Sequence, residues 1–273
     1  MTAAISTSSL STYYGKTPGI VDLDLEVQVG EIFGFLGPNG AGKTTTIRTL
    51  MDLLRPTSGS ATILGLSSHR DSVEVKRRTG YLPGDLAMWK QMTARQLLLY
   101  LGNLRSIDVT AALAKYAERL DIDLDRKVGD YSSGNRQKIG IIQAFMHEPE
   151  LLILDEPSAG LDPLMQQEFY RMVDEVKAQG RTIFLSSHIL PEVERVADRV
   201  GIVRKGHLVA VETVENLKAK ARRQIHLTFA APVAAAEFAG IDGVESAESF
   251  HEGRGVTVSV TGSLDRVIKT AAR

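Results

Sequence analysis

The sequence has no cysteine, a single tryptophan and almost no net charge, and it has no long hydrophobic run. Without cysteine there is no disulfide framework, thiolate-bound zinc or thiol nucleophile. A membrane-spanning helix needs about 20 apolar residues, and the start MTAAISTSSL lacks the basic and apolar regions of a signal peptide. We therefore expect no direct membrane insertion. With 32 Lys+Arg against 33 Asp+Glu, we also expect no nucleic-acid partner.

The 273 residues are 43% hydrophobic and 24% charged, which is typical of a globular protein. This length favours one large domain with a smaller one. A β-rich opening with strands over 20–29 and 31–36 is followed by a helical stretch over about 87–148. Strands and helices then alternate again, which predicts an α/β fold with a mainly parallel, helix-covered sheet.

The C-terminal part, 224–273, is predicted to form a small unit of its own. Its predicted order, β-α-β-β-α, is that of a ferredoxin-like unit without its last strand, so we interpret it as incomplete. The basic stretch 218–223 before it fits a linker or a helix end, and a solvated helix face is the favoured interpretation.

A glycine-rich loop fits the pattern G-x-x-x-x-G-K-[ST], between a predicted strand and a helix predicted over 43–54. In such a loop, backbone N–H groups face one anion and the helix N-terminus adds positive charge. Lys43 is expected to reach the β- and γ-phosphates of a nucleotide, and the Thr44 hydroxyl to bind Mg²⁺. The predicted nucleotide-binding residues are Gly37, Pro38, Asn39, Gly40, Ala41, Gly42, Lys43, Thr44 and Thr45.

Polar side chains follow two further predicted strands. The apolar run 151–154 ends in Asp155 and Glu156, and His188 follows a strand predicted over 181–185. Ligands gather at the carboxyl ends of strands in open parallel sheets. We expect Asp155 to hold Mg²⁺, Glu156 to orient or deprotonate the attacking water, and His188 to contact the γ-phosphate. The alternatives are a solvent-facing acidic pair and an ordinary polar loop residue.

The segment Ser132, Ser133, Gly134, Asn135 opens a helix predicted to end at His147. Ser132 and the free N–H groups after it would make a second anion-binding helix start, although an N-cap alone is the simpler interpretation. This helix spans about 20 Å and leads to the Asp155 strand, so its start is expected far from the chain's own phosphate loop. Such a site fits a nucleotide that is held by another subunit.

In this order, the motifs resemble the nucleotide-binding subunit of ATP-binding cassette (ABC) transporters, over about residues 5–217. The resemblance implies a P-loop NTPase core over 1–217, an ATPase activity with ATP and Mg²⁺, and a head-to-tail dimer with two ATP molecules between phosphate loops and opposing signatures. It also implies that Tyr14 stacks on adenine and that Asp162 lies in the loop that crosses the dimer interface. Asp162 also fits an N-cap before Pro163.

The sequence departs from the family pattern at two places. The usual Gln after Tyr-Leu-Pro is replaced by Gly84, which has no side chain to bind Mg²⁺. Asp85 is a candidate substitute, although its carboxylate repels phosphates unless it binds metal. In the signature, Ser133 replaces Gly and Asn135 replaces Gln, while Ser132 and Gly134 remain, so we expect binding to a second copy's nucleotide to persist.

The sequence Leu-Ser-Ser-His-Ile-Leu-Pro-Glu-Val-Glu and the C-terminal unit resemble those of the antibiotic- or drug-exporter branch of this family. This implies an integral-membrane permease as partner and a cytoplasmic location, peripheral on the inner face of the membrane. The main hypothesis is an ATPase subunit that powers export. The alternative is a non-transport ATP switch that acts as a regulatory module, and a small-molecule P-loop kinase would leave the Ser132 signature unexplained.

Overall fold

A computed structural model describes residues 3–220, 222–251, 253–261 and 264–271. The chain divides into two compact units, Met1–Val211 and Glu212–Arg273. The described part has mixed sheets with helices, and the predicted α/β class is confirmed. In chain order the first elements are β1 (Ala3–Tyr14), β2 (Thr17–Gln28), β3 (Ile32–Leu36), α1 (Lys43–Leu50), β4 (Ser58–Ile63), β5 (Leu66–Ser67), α2 (Ser72–Arg78), β6 (Thr79–Leu82), α3 (Ala94–Leu104), α4 (Thr110–Arg119), a 3₁₀ turn (Val128–Asp130), α5 (Ser133–Phe145), β7 (Leu151–Asp155), α6 (Pro163–Ala178), β8 (Thr182–Ser187), α7 (Leu190–Val196), β9 (Arg199–Arg204) and β10 (His207–Thr213).

The central sheet, in the described residues, has the order β10-β9-β3-β8-β7-β6. β6, β7, β8, β3 and β9 pair in parallel. β3, β7 and β8 are almost wholly buried, as expected for strands covered by helices on both faces. Their shared direction places the carboxyl ends of β3, β7 and β8 at one edge, with Leu36 opposite Ser187 and Asp155 opposite Ser186.

A second sheet, with the order β2-β1-β4-β5, is antiparallel. Alternate residues of β2, Leu23, Leu25 and Val27, are buried in the core, so the period-two pattern in the sequence correctly predicted a half-buried strand. The core they join also contains Phe33, Phe35 and Ile47.

Helix α1 was predicted to run to residue 54, but it ends at Leu50. Asp52 has a φ of +52°, and the Leu53 N–H donates to the Arg48 carbonyl at 2.8 Å. This is the Schellman pattern, which usually has glycine at the left-handed position. Because aspartate takes that position here, the sequence carried no glycine to mark the true end.

The region predicted to be helical contains α3, α4 and α5, joined by loops and the 3₁₀ turn. Thr93 caps α3 in a capping box with Gln96. The start of α5 has Ser132 as its N-cap, and its side chain accepts a hydrogen bond from the Asn135 N–H at 3.3 Å. The predicted cap at Ser132 is therefore present.

The second unit has its own antiparallel sheet, formed in the described residues by β11 (Arg222–Thr228), β12 (Val244–Phe250) and β13 (Gly255–Thr261) in the order β11-β13-β12. Its core is formed by Phe238, Val256, Val258, Val260 and Val267. The predicted helix over 233–238 is shorter and lies later, because a loop precedes Ala236. The basic stretch 218–223 divides between a helix and a strand, and Ala221 lies outside the described residues. The helices of this unit are α8 (Val214–Lys220), α9 (Ala236–Ala239) and α10 (Asp265–Ala271).

Candidate active site

The phosphate loop curls between β3 and α1 and contributes to a cleft of about 280 Å³. Gly42, the residue before α1, has a φ of +110°, a conformation that L side chains rarely adopt, and a Cβ there would lie 2.6 Å from the Gly19 carbonyl. Only glycine fits this position. The cleft is lined by Tyr14, Pro18, Gly19, Asn39, Gly40, Gly42, Lys43, Thr44, Thr45 and Glu156.

Lys43 is buried at the floor of this cleft, with 5% of its surface exposed. Its Nζ donates to the carbonyls of Gly37 at 2.7 Å and Pro38 at 3.3 Å, and lies 3.1 Å from Oε1 of Glu156. The oxygens of a phosphate can take the place of these protein oxygens, so the ammonium group of Lys43 keeps its hydrogen bonds when a nucleotide binds.

Glu156 connects the lysine with the predicted histidine. Its Oε2 lies 2.9 Å from Nδ1 of His188, so Lys43, Glu156 and His188 form one continuous polar chain. Glu156 and His188 directly follow β7 and β8, and Lys43 is the first residue of α1, after the phosphate loop that follows β3. The structure therefore brings together the three side chains that the sequence predicted as catalytic.

The backbone of Glu156 is in the left-handed region, with a φ of +50°. For a non-glycine residue this conformation costs about 1–3 kcal/mol and persists only where its surroundings hold it. Here the N–H donates to the hydroxyl and carbonyl of Ser186 at 3.1 and 3.2 Å. On the other side, the Gln137 amide donates to the carbonyls of Glu156 at 3.3 Å and Pro157 at 2.9 Å. The turn after β7 is thus held by hydrogen bonds from β8 on one side and from α5 on the other.

Asp155 is fully buried at the end of β7. Its Oδ1 accepts a hydrogen bond from the Ser186 hydroxyl at 2.5 Å, while Oδ2 has no hydrogen-bond partner among the described residues. Burying an unpaired carboxylate oxygen is costly. The position of Oδ2 therefore suits a cation, and the Mg²⁺-binding role of Asp155 stays a prediction.

At the place of the missing glutamine, Gly84 rather than Asp85 faces Asp155. A Cβ on Gly84 would lie 3.0 Å from Oδ2 of Asp155, whereas Asp85 is exposed. Tyr81 lies on the same strand end, and burial, followed by the charge of Asp155, raises the pKa of Tyr81 to about 12. Tyr81 is therefore a neutral neighbour of the acidic pair.

The signature segment lies at the exposed start of α5. Ser132 and Ser133 are exposed, and a Cβ on Gly134 would lie 2.6 Å from the carbonyl oxygen of Gly160. Asp162 caps α6 by accepting from the N–H groups of Leu164 and Met165 at 3.0 and 3.1 Å. The signature and the loop after β7 are therefore in direct backbone contact.

Tyr14 is half exposed, and its hydroxyl lies 3.4 Å from the Thr45 hydroxyl at the edge of the cleft. The side chain borders the open part of the cleft.

Comparison with known proteins identifies the family of the chain. The profile of the ABC transporter family matches residues 20–159. The bacitracin transport ATP-binding protein BcrA of Bacillus licheniformis is 39% identical over 228 residues, which are 82% of this chain and 74% of that protein. The chain belongs to the ABC transporter family. It is an ATP-binding subunit with the ATPase fold and activity of that family.

Two further comparisons support this assignment. The daunorubicin resistance ATP-binding protein DrrA3 of Streptomyces coeruleorubidus is 36% identical over 222 residues, or 80% of this chain and 70% of that protein. A solved structure described as the ATP-binding subunit of an ABC transporter is 29% identical, with a TM-score of 0.74, and covers 80% of this chain and 92% of the solved chain. In the described ranges, every helix is too short or too polar to cross a membrane.

In this ABC subunit, two side chains that the sequence did not single out, Ser186 and Gln137, hydrogen-bond to the end of β7 and the turn after it. Ser186 precedes His188 by two positions, and its register opposite Asp155 on β8 is a property of the sheet rather than of the local sequence. Gln137 lies one turn into α5, and its face toward the turn after β7 emerges only from the packing of that helix.

Proposed function

We propose that this chain is the ATP-hydrolysing subunit of an exporter for antibiotic- or drug-like molecules, working with a separate integral-membrane permease at the cytoplasmic face of the membrane. The relatives that transport bacitracin and confer daunorubicin resistance support this substrate class. The family assignment supports ATP as the energy source.

ATP binds in the cleft with its phosphates on Lys43 and the loop N–H groups, and Tyr14 stacks on adenine. Glu156 orients and deprotonates the water that attacks the γ-phosphorus, so that the bond to the ADP oxygen breaks and phosphate leaves. His188 donates a hydrogen bond to the γ-phosphate. The observation that carries this proposal is the continuous chain of Lys43, Glu156 and His188, with contacts of 3.1 and 2.9 Å, because this chemistry depends on positioning and charge stabilisation.

Mg²⁺ would be held by the Thr44 hydroxyl and by Asp155, whose Oδ2 lacks a hydrogen-bond partner among the described residues. This set fits Mg²⁺, which usually binds one or two carboxylates together with phosphates and waters. When bound, the ion neutralises negative charge on the phosphates. Asp85 is exposed and belongs to this set only as a further candidate.

A second copy of the chain completes each site in a head-to-tail dimer. Ser132, Ser133, Gly134 and Asn135, with Asp162, would contact the nucleotide held by the partner copy. Two features support this arrangement. The signature opens an exposed helix N-terminus, which attracts anions, and the described lining of the chain's own cleft includes no residue of 132–135.

A larger cleft of about 800 Å³ lies between the segment after β6 and the helical region, and we propose that it receives a helix of the permease. Leu86, Met88, Trp89, Leu97 and Leu101 give it an apolar lining, and Lys90 and Arg136 add positive charge. Trp89 is 53% exposed, so a large aromatic surface is available for burial against a partner protein. An amphipathic helix with a carboxylate at its edge has matching chemistry.

The experiment begins by searching the genes next to this one for a multi-span membrane protein and reconstitutes the chain with that candidate permease. We expect ATP hydrolysis that rises on assembly and further with bacitracin- or anthracycline-like compounds. Trp89→Glu should remove this stimulation and leave the basal ATPase unchanged. Val73→Glu, at a 68% exposed position of α2 outside the cleft, is the matched control. If the rate of ATP hydrolysis stays at its basal value after reconstitution with the permease, with and without these compounds, the transport proposal is contradicted.

A further inference from the structure

We propose that Ser186 is a positioning residue of the ATPase site, whose hydroxyl aims the Asp155 carboxylate at Mg²⁺ and holds the Glu156 backbone in its left-handed conformation. The inference rests on the proposed function, since it concerns the same site. It assigns a role to a buried residue that is not among those that line the nucleotide cleft.

The first step is the hydrogen bonding of the Ser186 hydroxyl, which both donates and accepts. It donates to Oδ1 of Asp155 at 2.5 Å and accepts from the Glu156 N–H at 3.1 Å. Ser186 is fully buried, so water cannot replace either bond. A hydroxyl has one donor and two acceptor sites, and here its single proton is committed to the aspartate.

The second step concerns which oxygen of Asp155 remains free. Because Oδ1 is occupied by Ser186, the carboxylate presents Oδ2, which has no hydrogen-bond partner among the described residues. Gly84 borders Oδ2 without contributing a side chain, as its Cβ would lie only 3.0 Å away. Among the described residues, the hydroxyl of Ser186 donates the side-chain hydrogen bond that Asp155 accepts.

The third step is that the same hydroxyl supports the Glu156 backbone. Glu156 has a φ of +50°, and its N–H is shared between the hydroxyl and the carbonyl of Ser186. Loss of the hydroxyl removes one of these acceptors. The carboxylate of Asp155 and the backbone N–H of Glu156 therefore both bond to one hydroxyl oxygen, that of Ser186.

The test measures ADP affinity with Mg²⁺ and with EDTA, in the full chain, for the parent protein and Ser186→Ala. The readout is the ratio of the two affinities, which reports Mg²⁺ binding without turnover. Loss of residues that orient metal ligands typically weakens metal affinity or activity about 10- to 100-fold. We expect Ser186→Ala to lower the Mg²⁺-dependent gain in affinity about 10-fold or more, to lower kcat, and to leave ADP affinity in EDTA unchanged.

Two further variants separate positioning from folding. Ser186→Thr keeps a hydroxyl and should restore most of the Mg²⁺ dependence. Thr182→Val removes another buried hydroxyl from the opposite end of β8, which accepts from the Gly30 N–H at 2.9 Å, and should keep the full Mg²⁺ dependence. If Ser186→Ala retains the parent ratio of affinities, the inference is wrong. If the parent protein itself binds no nucleotide, the proposed function fails instead.

Discussion

Nζ of Lys43 lies 3.1 Å from Oε1 of Glu156, and both side chains are largely buried, with 6% and 21% of their surfaces exposed. The cation expected to bind phosphate is thus paired with the carboxylate expected to activate water. A γ-phosphate that enters the cleft competes with Glu156 for the lysine. We infer that binding of the nucleotide breaks the ion pair between Lys43 and Glu156 and so frees the Glu156 carboxylate to act as general base.

Glu156→Gln should nearly abolish ATP hydrolysis while ATP binding remains. The amide keeps the shape of the side chain but cannot accept a proton, and general base catalysis typically contributes about 10²- to 10⁴-fold. Phosphate release and equilibrium ATP binding are the two measurements. Glu150→Gln, which alters an exposed carboxylate paired with Arg78 at 2.6 Å just before β7, is the control. Hydrolysis by Glu156→Gln at the parent rate would show that another group is the base.

Glu156→Gln should also tighten ADP binding in EDTA. In this variant the Lys43 ammonium does not have to break an ion pair with Glu156 before it binds phosphate. An ion pair worth about 1 kcal/mol corresponds to about a fivefold gain in affinity. Titration calorimetry without Mg²⁺ measures this directly and avoids turnover. Lys43→Met should weaken binding, and it should also cancel the gain when combined with Glu156→Gln. Equal ADP affinity in the parent and Glu156→Gln would mean that the pair does not oppose binding.

Gly134→Ala should destabilise the protein and impair ATP-dependent dimerisation. The new Cβ would lie 2.6 Å from the Gly160 carbonyl, so the signature helix or the loop before α6 must move. Gly240→Ala is the matched control, since a Cβ there meets no atom within 4 Å. We expect a lower unfolding temperature for Gly134→Ala alone, and weaker dimer formation in Mg-ATP by size-exclusion chromatography. If Gly134→Ala forms the dimer as well as the control does, Gly134 is not part of the dimer interface.

The three catalytic candidates were predictable from sequence because Glu156 and His188 directly follow recognisable strands and Lys43 ends the glycine-rich loop after another. Lys43, Glu156 and His188 sit after apolar runs, and the carboxyl ends of parallel strands meet at one edge. The metal side of the site was less predictable. The sequence offered Asp85 as a candidate substitute for the missing glutamine, with repulsion of phosphates against it. In the structure Gly84 lies against Asp155, since a Cβ built on Gly84 would be 3.0 Å from Oδ2 of Asp155.

The strands without an apolar pattern were the hardest part of the fold to predict. β1, with the sequence AAISTSSLSTYY, is rich in serine and threonine, so the contrast between its buried and exposed positions is weak. It pairs with both β2 and β4, and these cross-strand contacts rather than its own residues give it a place in the sheet. Ser186 escaped prediction for the same reason, since its role depends on a neighbouring strand.

His147 lies just beyond α5, where the helical region returns to the central sheet. Its Nε2 is 3.3 Å from the Thr79 carbonyl, while Nδ1 is buried without a hydrogen-bond partner among the described residues. Burial, and then the charge of Arg105, lower the pKa of His147 from 6.5 to about 4. Arg181 acts in the same direction. The folded protein therefore holds this imidazole neutral.

The free energy of unfolding should fall as the pH drops from 7 to 5, and His147 should account for part of the loss. Between about pH 6.5 and 4 the unfolded chain protonates this histidine and the folded chain does not, so protons stabilise the unfolded state. The pKa difference corresponds to about 2 kcal/mol between pH 7 and 5. Urea unfolding of His147→Gln should therefore show a flatter pH dependence than that of the parent. The exposed His207 on β10 supplies the control, His207→Gln, which should follow the parent curve. If His147→Gln loses as much stability as the control over this range, the histidine is already charged in the folded state or is exposed to water.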